Sequence, residues 1–245
     1  MEPGTDQGAT GITILSDEQR EERRRELLER IPASYSYKLH LVLPTLMTAA
    51  ICAVAIHFMN GLRAIELLML PGMFLLSNAG EWLAHRYMLH ERLPLVGEIY
   101  ERHELQHHQV YVDGDMAMRH PRELQMILVP AYAVLLLLLS MVPFAALAAW
   151  LLSINCAMLV IVCALTYFVI YEWLHFSYHM PPASRVGRLP GMARLRRLHS
   201  THHDPRLMKR YNFNVTIGLF DWINGTLYDP ERARTHRAPQ AEAAR

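Results

Sequence analysis

The sequence predicts an all-α membrane protein with four transmembrane helices in two hairpins and a helical cap on the cytoplasmic side. Three observations indicate this fold. Apolar residues make up 52% of the 245-residue chain and charged residues only 19%, below the roughly 25% of a soluble domain. The apolar residues are gathered into four long runs, and the mean hydropathy is positive at +0.08. Nearly all basic residues fall on one side of those runs.

The first 37 residues form a polar segment that precedes the apolar runs. Ser16 and Gln19 fit a capping box that opens a short charged helix, and Pro32 lies just beyond the expected end of this helix. The segment is too acidic and too poor in apolar residues for a cleaved signal peptide. The arginine run at 23–25 is interpreted as a solvated face of the helix.

Four membrane spans are expected in the apolar runs, at about 39–59, 62–83, 124–142 and 144–170. The first run has 21 residues and is about 31 Å long as a helix, which matches a hydrocarbon layer about 30 Å thick. Asn60-Gly61 predicts the turn of the first hairpin, and Pro143 predicts a tight connection in the second. A polar loop at 84–123 joins the two hairpins.

The distribution of basic residues predicts the orientation in the membrane. Of the 24 Lys and Arg residues, six precede the first run, five lie in the loop 84–123, and twelve follow the fourth run. Only Arg63 falls in an outer turn, so both termini and the middle loop are expected in the cytoplasm. The net charge of +1 offers no basic stripe for nucleic acid. The three cysteines all lie in apolar stretches, which excludes a disulfide framework.

Ten of the 14 histidines fall in four clusters, all on the predicted cytoplasmic side. A spacing of three or four residues places side chains on one helical face, where they can reach a single ion. His85 and His90 are five residues apart, so we expect the helix to end or distort between them. Ten imidazoles are too many for one ion but suit two six-coordinate ions, so the cap is expected to carry a dimetal site. The ten candidate metal ligands are His85, His90, His103, His107, His108, His175, His179, His199, His202 and His203.

The remaining histidines are interpreted as ordinary surface or core residues; they are His40, His57, His120 and His236. Glu81 and Glu172 stand one turn before His85 and His175, where they are candidate acceptors for the ring N–H groups. The alternative, that they are helix-end carboxylates which meet nearby arginines, is equally open.

The histidine clusters resemble the histidine boxes of the fatty acid hydroxylase superfamily, which also includes sterol desaturases and methyl-sterol oxidases. The resemblance lies in the segments 85–90, 103–108, 175–179 and 199–203, and in a C-terminal signature at 212–214 and 220–226. It implies two iron ions held by the ten histidines, molecular oxygen as oxidant, and a lipid or other hydrophobic substrate. We therefore expect a membrane domain over 38–230, preceded by the polar segment 1–37 and followed by a flexible tail at 231–245.

Oxygen activation of this kind needs two external electrons per turnover. The first 37 residues are too few for a heme or flavin module, and no Gly-rich dinucleotide motif precedes a helix. We therefore expect a separate electron donor at the cytoplasmic face, either a reductase, a ferredoxin or a b-type cytochrome. Hydroxylation is favoured over desaturation, the identity of the substrate stays open, and zinc is expected to replace iron readily in purified samples.

A second hypothesis comes from a different class of enzyme. The segment His103-Glu104-Leu105-Gln106-His107 matches HExxH, in which two histidines bind zinc and the glutamate acts as the base of a metalloprotease. An integral-membrane zinc metalloprotease would leave about seven clustered histidines unexplained. A transporter is a third hypothesis, but transport sites lie near the bilayer midplane, whereas the clusters lie outside the predicted spans.

Overall fold

The computed structural model describes residues 14–94 and 96–229, so the tail predicted at 231–245 and His236 lie outside the described residues. The described residues form helices and loops without a β-strand, which confirms the predicted all-α class. They divide into two compact units. The span unit comprises Ile31–Gly80 and His120–Phe176, and the histidine unit comprises the described residues within 14–30, 81–119 and 177–229.

Four helical stretches are long and apolar enough to cross a membrane, as predicted. They are Tyr37–His57, Ala64–Leu89, Pro121–Leu151 and Ile154–Tyr178. Many of their large apolar side chains are exposed, Trp150 by 80% and Leu139 by 65%. Surfaces of this kind are suited to contact with lipid acyl chains.

The helices that carry the spans begin and end at other residues than the predicted apolar runs. Helix α2 runs from Tyr37 to His57, α3 from Met69 to Leu83, α6 from Leu124 to Ile127, α7 from Tyr132 to Leu151, and α8 from Ile154 to Tyr178. Short 3₁₀ turns precede α3 at Ala64–Leu68 and α6 at Pro121–Glu123. The buried contacts between these helices involve mainly small side chains, which allow close helix packing: Met73, Ala145, Ala148, Cys156, Ala157, Val160 and Ala164.

The predicted connection at Pro143 is wrong. Pro143 lies inside α7, and the turn of the second hairpin follows at Leu152 and Ser153. A proline removes one backbone hydrogen bond, but its fixed φ is compatible with a helix and the apolar sequence continues beyond it. Pro71 does not interrupt α3 either, because it lies in the first turn, where its missing N–H costs nothing.

Polar side chains join the turns of the two hairpins in the span unit. The first turn is at Asn60 and Gly61, as predicted, and Gly61 has a φ of +58°. The side-chain amide of Asn155 accepts from the Asn60 N–H and donates to the Asn60 carbonyl, each at 3.0 Å. The buried Glu66 carboxylate accepts from the Ser153 hydroxyl at 2.5 Å and from Asn155 at 3.1 Å. The two hairpins are thereby bonded to each other where the chain reverses.

The histidine unit contains helices α1 (Asp17–Arg30), α4 (Gly97–Arg102), α5 (His108–Val110), α9 (Met192–His202) and α10 (Leu219–Ile223). Two π-helical turns occur within it, the first at Ala84–Leu89 and the second at His103–His107.

The capping box predicted at the start of α1 is confirmed. The Ser16 N–H donates to the Gln19 side chain at 2.9 Å, and the Gln19 N–H donates to the Ser16 hydroxyl at 3.2 Å. The interpretation of 23–25 as a solvated face is wrong for Arg24, whose exposed fraction is only 4%, although Arg25 is exposed.

Candidate metal centre

The histidine unit gathers nine of the ten predicted ligands into two buried clusters. In each cluster, one ring nitrogen from every member lies within 4.8 Å of the others. The first cluster consists of His85, His90, His103, His108 and His202. The second cluster contains His107, His179, His199 and His203. All nine side chains are buried, and His103 is the most exposed of them at 8%.

The tenth predicted ligand, His175, lies near the end of α8. Its exposed fraction is 2%, and the centroid of its ring is 5.9 Å from that of Tyr171. Because α8 continues to Tyr178, the four-residue spacing directs His175 and His179 from the same side of the helix.

Two π-helical turns explain how residues five apart share the first cluster. A π-helix forms hydrogen bonds from residue i to i+5, so its wider turn brings such residues onto one face. The first π turn lies between His85 and His90, which confirms the predicted distortion. In the second π turn, the His108 N–H donates to the His103 carbonyl. This wider turn brings the side chain of His108 beside that of His103. His107 is thereby directed to the second cluster.

Backbone carbonyl groups fix the orientation of four of the rings through their Nδ1 atoms. The hydrogen bonds are His85 to Phe213, His179 to Met116 at 2.8 Å, His202 to Tyr211 at 2.8 Å and His203 to Tyr111 at 2.7 Å. A carbonyl oxygen can only accept, so each of these Nδ1 atoms carries the proton. The Nε2 atom of each neutral ring then presents a lone pair, which is the form that binds metal.

His90 is oriented by a carboxylate. Its Nδ1 atom is 2.5 Å from Glu104 Oε2, and Lys209 Nζ is 3.3 Å from the other carboxylate oxygen. Burial raises the pKa of Glu104 to about 7, and the Lys209 charge opposes this rise. Sequence reasoning assigned Glu104 only to the protease hypothesis, and missed this contact because HExxH spacing does not say which way the side chain points.

The first cluster has the donor set of a cation site. When Glu104 is ionised, His90 Nδ1 carries the proton, so His90 and His202 both direct Nε2 lone pairs inward, and these two atoms are 3.0 Å apart. Two lone pairs at that distance repel each other, whereas a cation between them is attracted to both. Burial lowers the pKa of His90 well below its ordinary value and that of His202 to about 4, so both rings stay neutral near pH 7. The residues therefore fit a transition-metal ion.

The second cluster has the same character. His199 Nε2 and His203 Nε2 are 3.1 Å apart, and His203 Nδ1 donates to a carbonyl. Burial lowers the pKa of His179 to about 3, with smaller contributions in the same direction from nearby arginine charges. The stacked rings of His108 and His203, with centroids 4.1 Å apart, bring the two clusters into contact.

The predicted acceptors Glu81 and Glu172 bind backbone groups. Glu81 accepts from the Val215 N–H at 2.5 Å and from the Thr216 N–H and hydroxyl at 3.0 and 2.6 Å. This carboxylate therefore holds the segment that follows Phe213, whose carbonyl orients His85. In the span unit, Glu172 accepts from the Val129 N–H at 3.0 Å.

The C-terminal signature positions the carbonyls that hold His85 and His202. Asn212 separates Tyr211 from Phe213 and has a φ of +59°, a conformation that asparagine tolerates better than most residues. Its side-chain amide donates to the carbonyls of Leu198 and Tyr228 at 2.9 and 2.8 Å. The left-handed residue is thereby fixed between the two carbonyls.

Asp221 is the second fixed point of this signature. Its exposed fraction is 0%, and it accepts from the N–H groups of Phe213 and Asn214 at 3.0 and 2.7 Å and from the Thr226 hydroxyl at 2.7 Å. Asn214 returns a bond by accepting from the Asp221 N–H at 3.1 Å. The signature is therefore a hydrogen-bonded scaffold for the first cluster.

The histidines predicted to lie outside the site have other contacts. His40 is bonded to the Tyr35 hydroxyl and to the Val129 carbonyl, and His120 caps the 3₁₀ turn that follows it. His57 is exposed near the end of α2.

Comparison with known proteins places these features in a family. A family model described as fatty acid hydroxylase matches residues 70–226. A solved structure of full-length Scs7p, in which only the hydroxylase domain is visible, aligns with a TM-score of 0.54 and 22% sequence identity. The alignment covers 80% of this chain and 67% of that one, and at this identity it shows a shared fold. The curated proteins compared with the chain include none that matches. Since the family model spans well over half of the sequence, the chain belongs to the fatty acid hydroxylase family.

Proposed function

We propose that the protein is a membrane-bound, oxygen-dependent lipid hydroxylase whose histidine clusters hold two iron ions. Membership of the fatty acid hydroxylase family supports hydroxylase chemistry on a lipid. The observation that carries the metal assignment is the pair of buried Nε2 atoms of His90 and His202, which are 3.0 Å apart. Four spans with exposed apolar side chains support a substrate that reaches the protein from the bilayer.

The ten predicted histidines are the proposed ligands. The first ion is assigned to the first cluster, and the second ion to His107, His175, His179, His199 and His203. His175 is included because it is buried on the same side of α8 as His179. Zinc is expected to occupy the same imidazoles when iron is scarce.

The iron ions would supply a capacity that no side chain has, the activation of molecular oxygen for attack on an unactivated C–H bond. The protein's own contribution is to bury the ten rings, which excludes water, and to orient several of them through hydrogen bonds to their Nδ1 atoms. The overall reaction consumes a C–H bond, one O₂, two electrons and two protons, and yields an alcohol and water.

The two electrons require a separate donor protein, as expected from the sequence. We propose that a reductase, ferredoxin or b-type cytochrome binds the cytoplasmic face. That the termini and the metal site lie on this face is supported by the 23 of 24 basic residues on their side of the spans. This orientation follows from the charge distribution alone.

The structure gives a specific reason to prefer this function over a zinc metalloprotease. HExxH chemistry needs both histidines on one ion, whereas His103 and His107 belong to different clusters. Glu104 would have to contact a metal-bound water, but its carboxylate is engaged by His90 and Lys209.

The proposal is tested by product analysis. Cells that express the chain, supplied with isotopically labelled molecular oxygen, should accumulate lipids that have gained one labelled oxygen atom by mass spectrometry. The purified chain with NADPH alone should give no product, and a membrane fraction that contains redox proteins should restore it. Label from water, or no oxidised lipid, would contradict the proposal, and a loss of two hydrogens would identify a desaturase.

Glu104→Gln separates the two enzyme classes. The glutamine carbonyl oxygen can still accept from His90 Nδ1, so we expect both ions and most lipid oxidation to be retained. In a metalloprotease the same change removes the general base, which typically costs 10²–10⁴-fold in rate. The measurements are metal content and lipid oxidation, with Glu101→Gln, whose side chain is 45% exposed, as the matched control. Peptide cleavage that is independent of oxygen and disappears in Glu104→Gln would favour the protease.

A further inference from the structure

One loop of the histidine unit holds two ligands of the second cluster. This loop, residues 111–119, offers the Tyr111 carbonyl to His203 at 2.7 Å and the Met116 carbonyl to His179 at 2.8 Å. The Met118 N–H also donates to the His179 carbonyl at 2.8 Å. The position of the loop therefore sets the orientation of two rings.

The ring of Tyr111 adds a packing contact on the same side. It is fully buried, and its centroid lies 5.2 Å from that of His107 and 4.7 Å from that of His179. Displacement of Tyr111 would thus disturb the second cluster through both its carbonyl and its ring.

Charged groups of helix α1 bind the same loop. The Glu21 carboxylate is 2.5 Å from Arg119, and Arg119 in turn is 2.9 Å from Asp115. Arg24 lies 3.8 Å from Asp115 and donates to the Val110 carbonyl at 3.4 Å. Two residues of α1 and two residues of the loop thus form an ionic clasp.

Arg24 connects the clasp to the metal ligands. Its guanidinium lies 5.3 Å from the centroid of the Tyr111 ring, a cation–π geometry, and its side chain is only 5% exposed. A long charged side chain is rarely buried this deeply unless its contacts hold it in place. Arg24 is therefore in contact with the residue whose carbonyl orients His203.

We propose that α1 is a positioning element for the second metal ion and that Arg24 is its positioning residue. The proposal rests on the proposed function, because it assumes that the second cluster binds an ion. Helix α1 lies outside residues 70–226, so this device belongs to the part of the chain beyond the family match. The metal centre would then depend on a helix that contributes no ligand.

The test is a titration of the purified, metal-free full chain with Co²⁺ in detergent, monitored by its absorption bands. For Arg24→Gln we expect one of the two Co²⁺ ions to bind about 10–100-fold more weakly, the usual effect of removing an outer contact, while the other is unchanged. Arg24→Lys keeps the positive charge and should recover part of the loss. Arg25→Gln is the matched control, since Arg25 is the exposed neighbour on the same helix, and it should bind as the wild type does.

Two results would overturn the inference. One is an Arg24→Gln protein that binds both ions with wild-type affinity; the other is equal weakening of both ions, which would indicate general destabilisation. If Arg24→Gln does not fold, Asp115→Asn, whose side chain is 29% exposed, tests the same clasp from the loop with the same expected result. A wild type that fails to bind two Co²⁺ ions would instead reject the proposed function.

Discussion

Replacing His107 with alanine is expected to remove one of the two bound ions and to abolish lipid oxidation. His107 belongs to the second cluster and is 1% exposed, so the change removes one donor from a buried site. Both ions are needed in the proposed reaction, and the loss of either should reduce oxidised lipid below detection. The measurements are the metal content per chain by elemental analysis, two ions falling to about one, and lipid products by mass spectrometry.

Comparison of His103→Ala with His107→Ala tests the division of the ligands between two ions. His103 belongs to the first cluster, so its loss should remove the other ion, and the double variant should bind neither. In a protease of the HExxH type both single variants would lose the same zinc. His57→Ala is the control, because His57 is exposed and far along the chain from the histidine boxes. Wild-type protein with one ion per chain, or metal loss in His57→Ala, would refute the assignment of ligands.

Asp221→Ala is expected to destabilise the protein and to release the first ion. The change removes the acceptor of two buried N–H groups, those of Phe213 and Asn214. It also removes the shorter bond of the Thr226 hydroxyl, which keeps only a longer one, 3.4 Å, to the backbone carbonyl of residue 221. Each unsatisfied donor costs about 1–3 kcal/mol, so the sum is a large part of the 5–15 kcal/mol stability of a typical domain. The freed segment would no longer hold the Phe213 carbonyl against His85.

Thermal unfolding in detergent and metal content together measure this effect. The unfolding temperature of Asp221→Asn should lie between those of wild type and Asp221→Ala. The asparagine oxygen can still accept one of the hydrogen bonds, but its NH₂ group would face an N–H group that also donates. Asp17→Ala serves as the control, since its side chain is 92% exposed. An Asp221→Ala protein with unchanged unfolding temperature and both ions would show that the C-terminal signature does not support the site.

The sequence was sufficient to predict the class of fold, the number of spans and the set of buried histidines. These depend on hydropathy and spacing, which are properties of the chain itself. The prediction at Pro143 failed because a proline marks a turn in water, whereas an apolar helix can continue through it.

The division of the histidines between clusters was beyond sequence reasoning. The ideal helix places His103 and His107 on one face, and only the π-helical turn separates them. The contact of Glu104 with His90 and the burial of Arg24 were also missed, because both depend on segments that are distant along the chain. The local sequence around a carboxylate or an arginine in a charged helix does not indicate whether a distant segment buries that side chain.

The two π-helical turns also make the spacing of the histidine boxes sensitive to chain length. A π turn accommodates one residue more than an α turn, so deletion of a single residue between His85 and His90 would favour an ordinary helix there. Every following residue of that helix would then be rotated by about 100°, and His90 would leave the first cluster. The same holds between His103 and His108. At these two places an insertion or deletion is therefore as damaging as the loss of a ligand, even when all ten histidines remain.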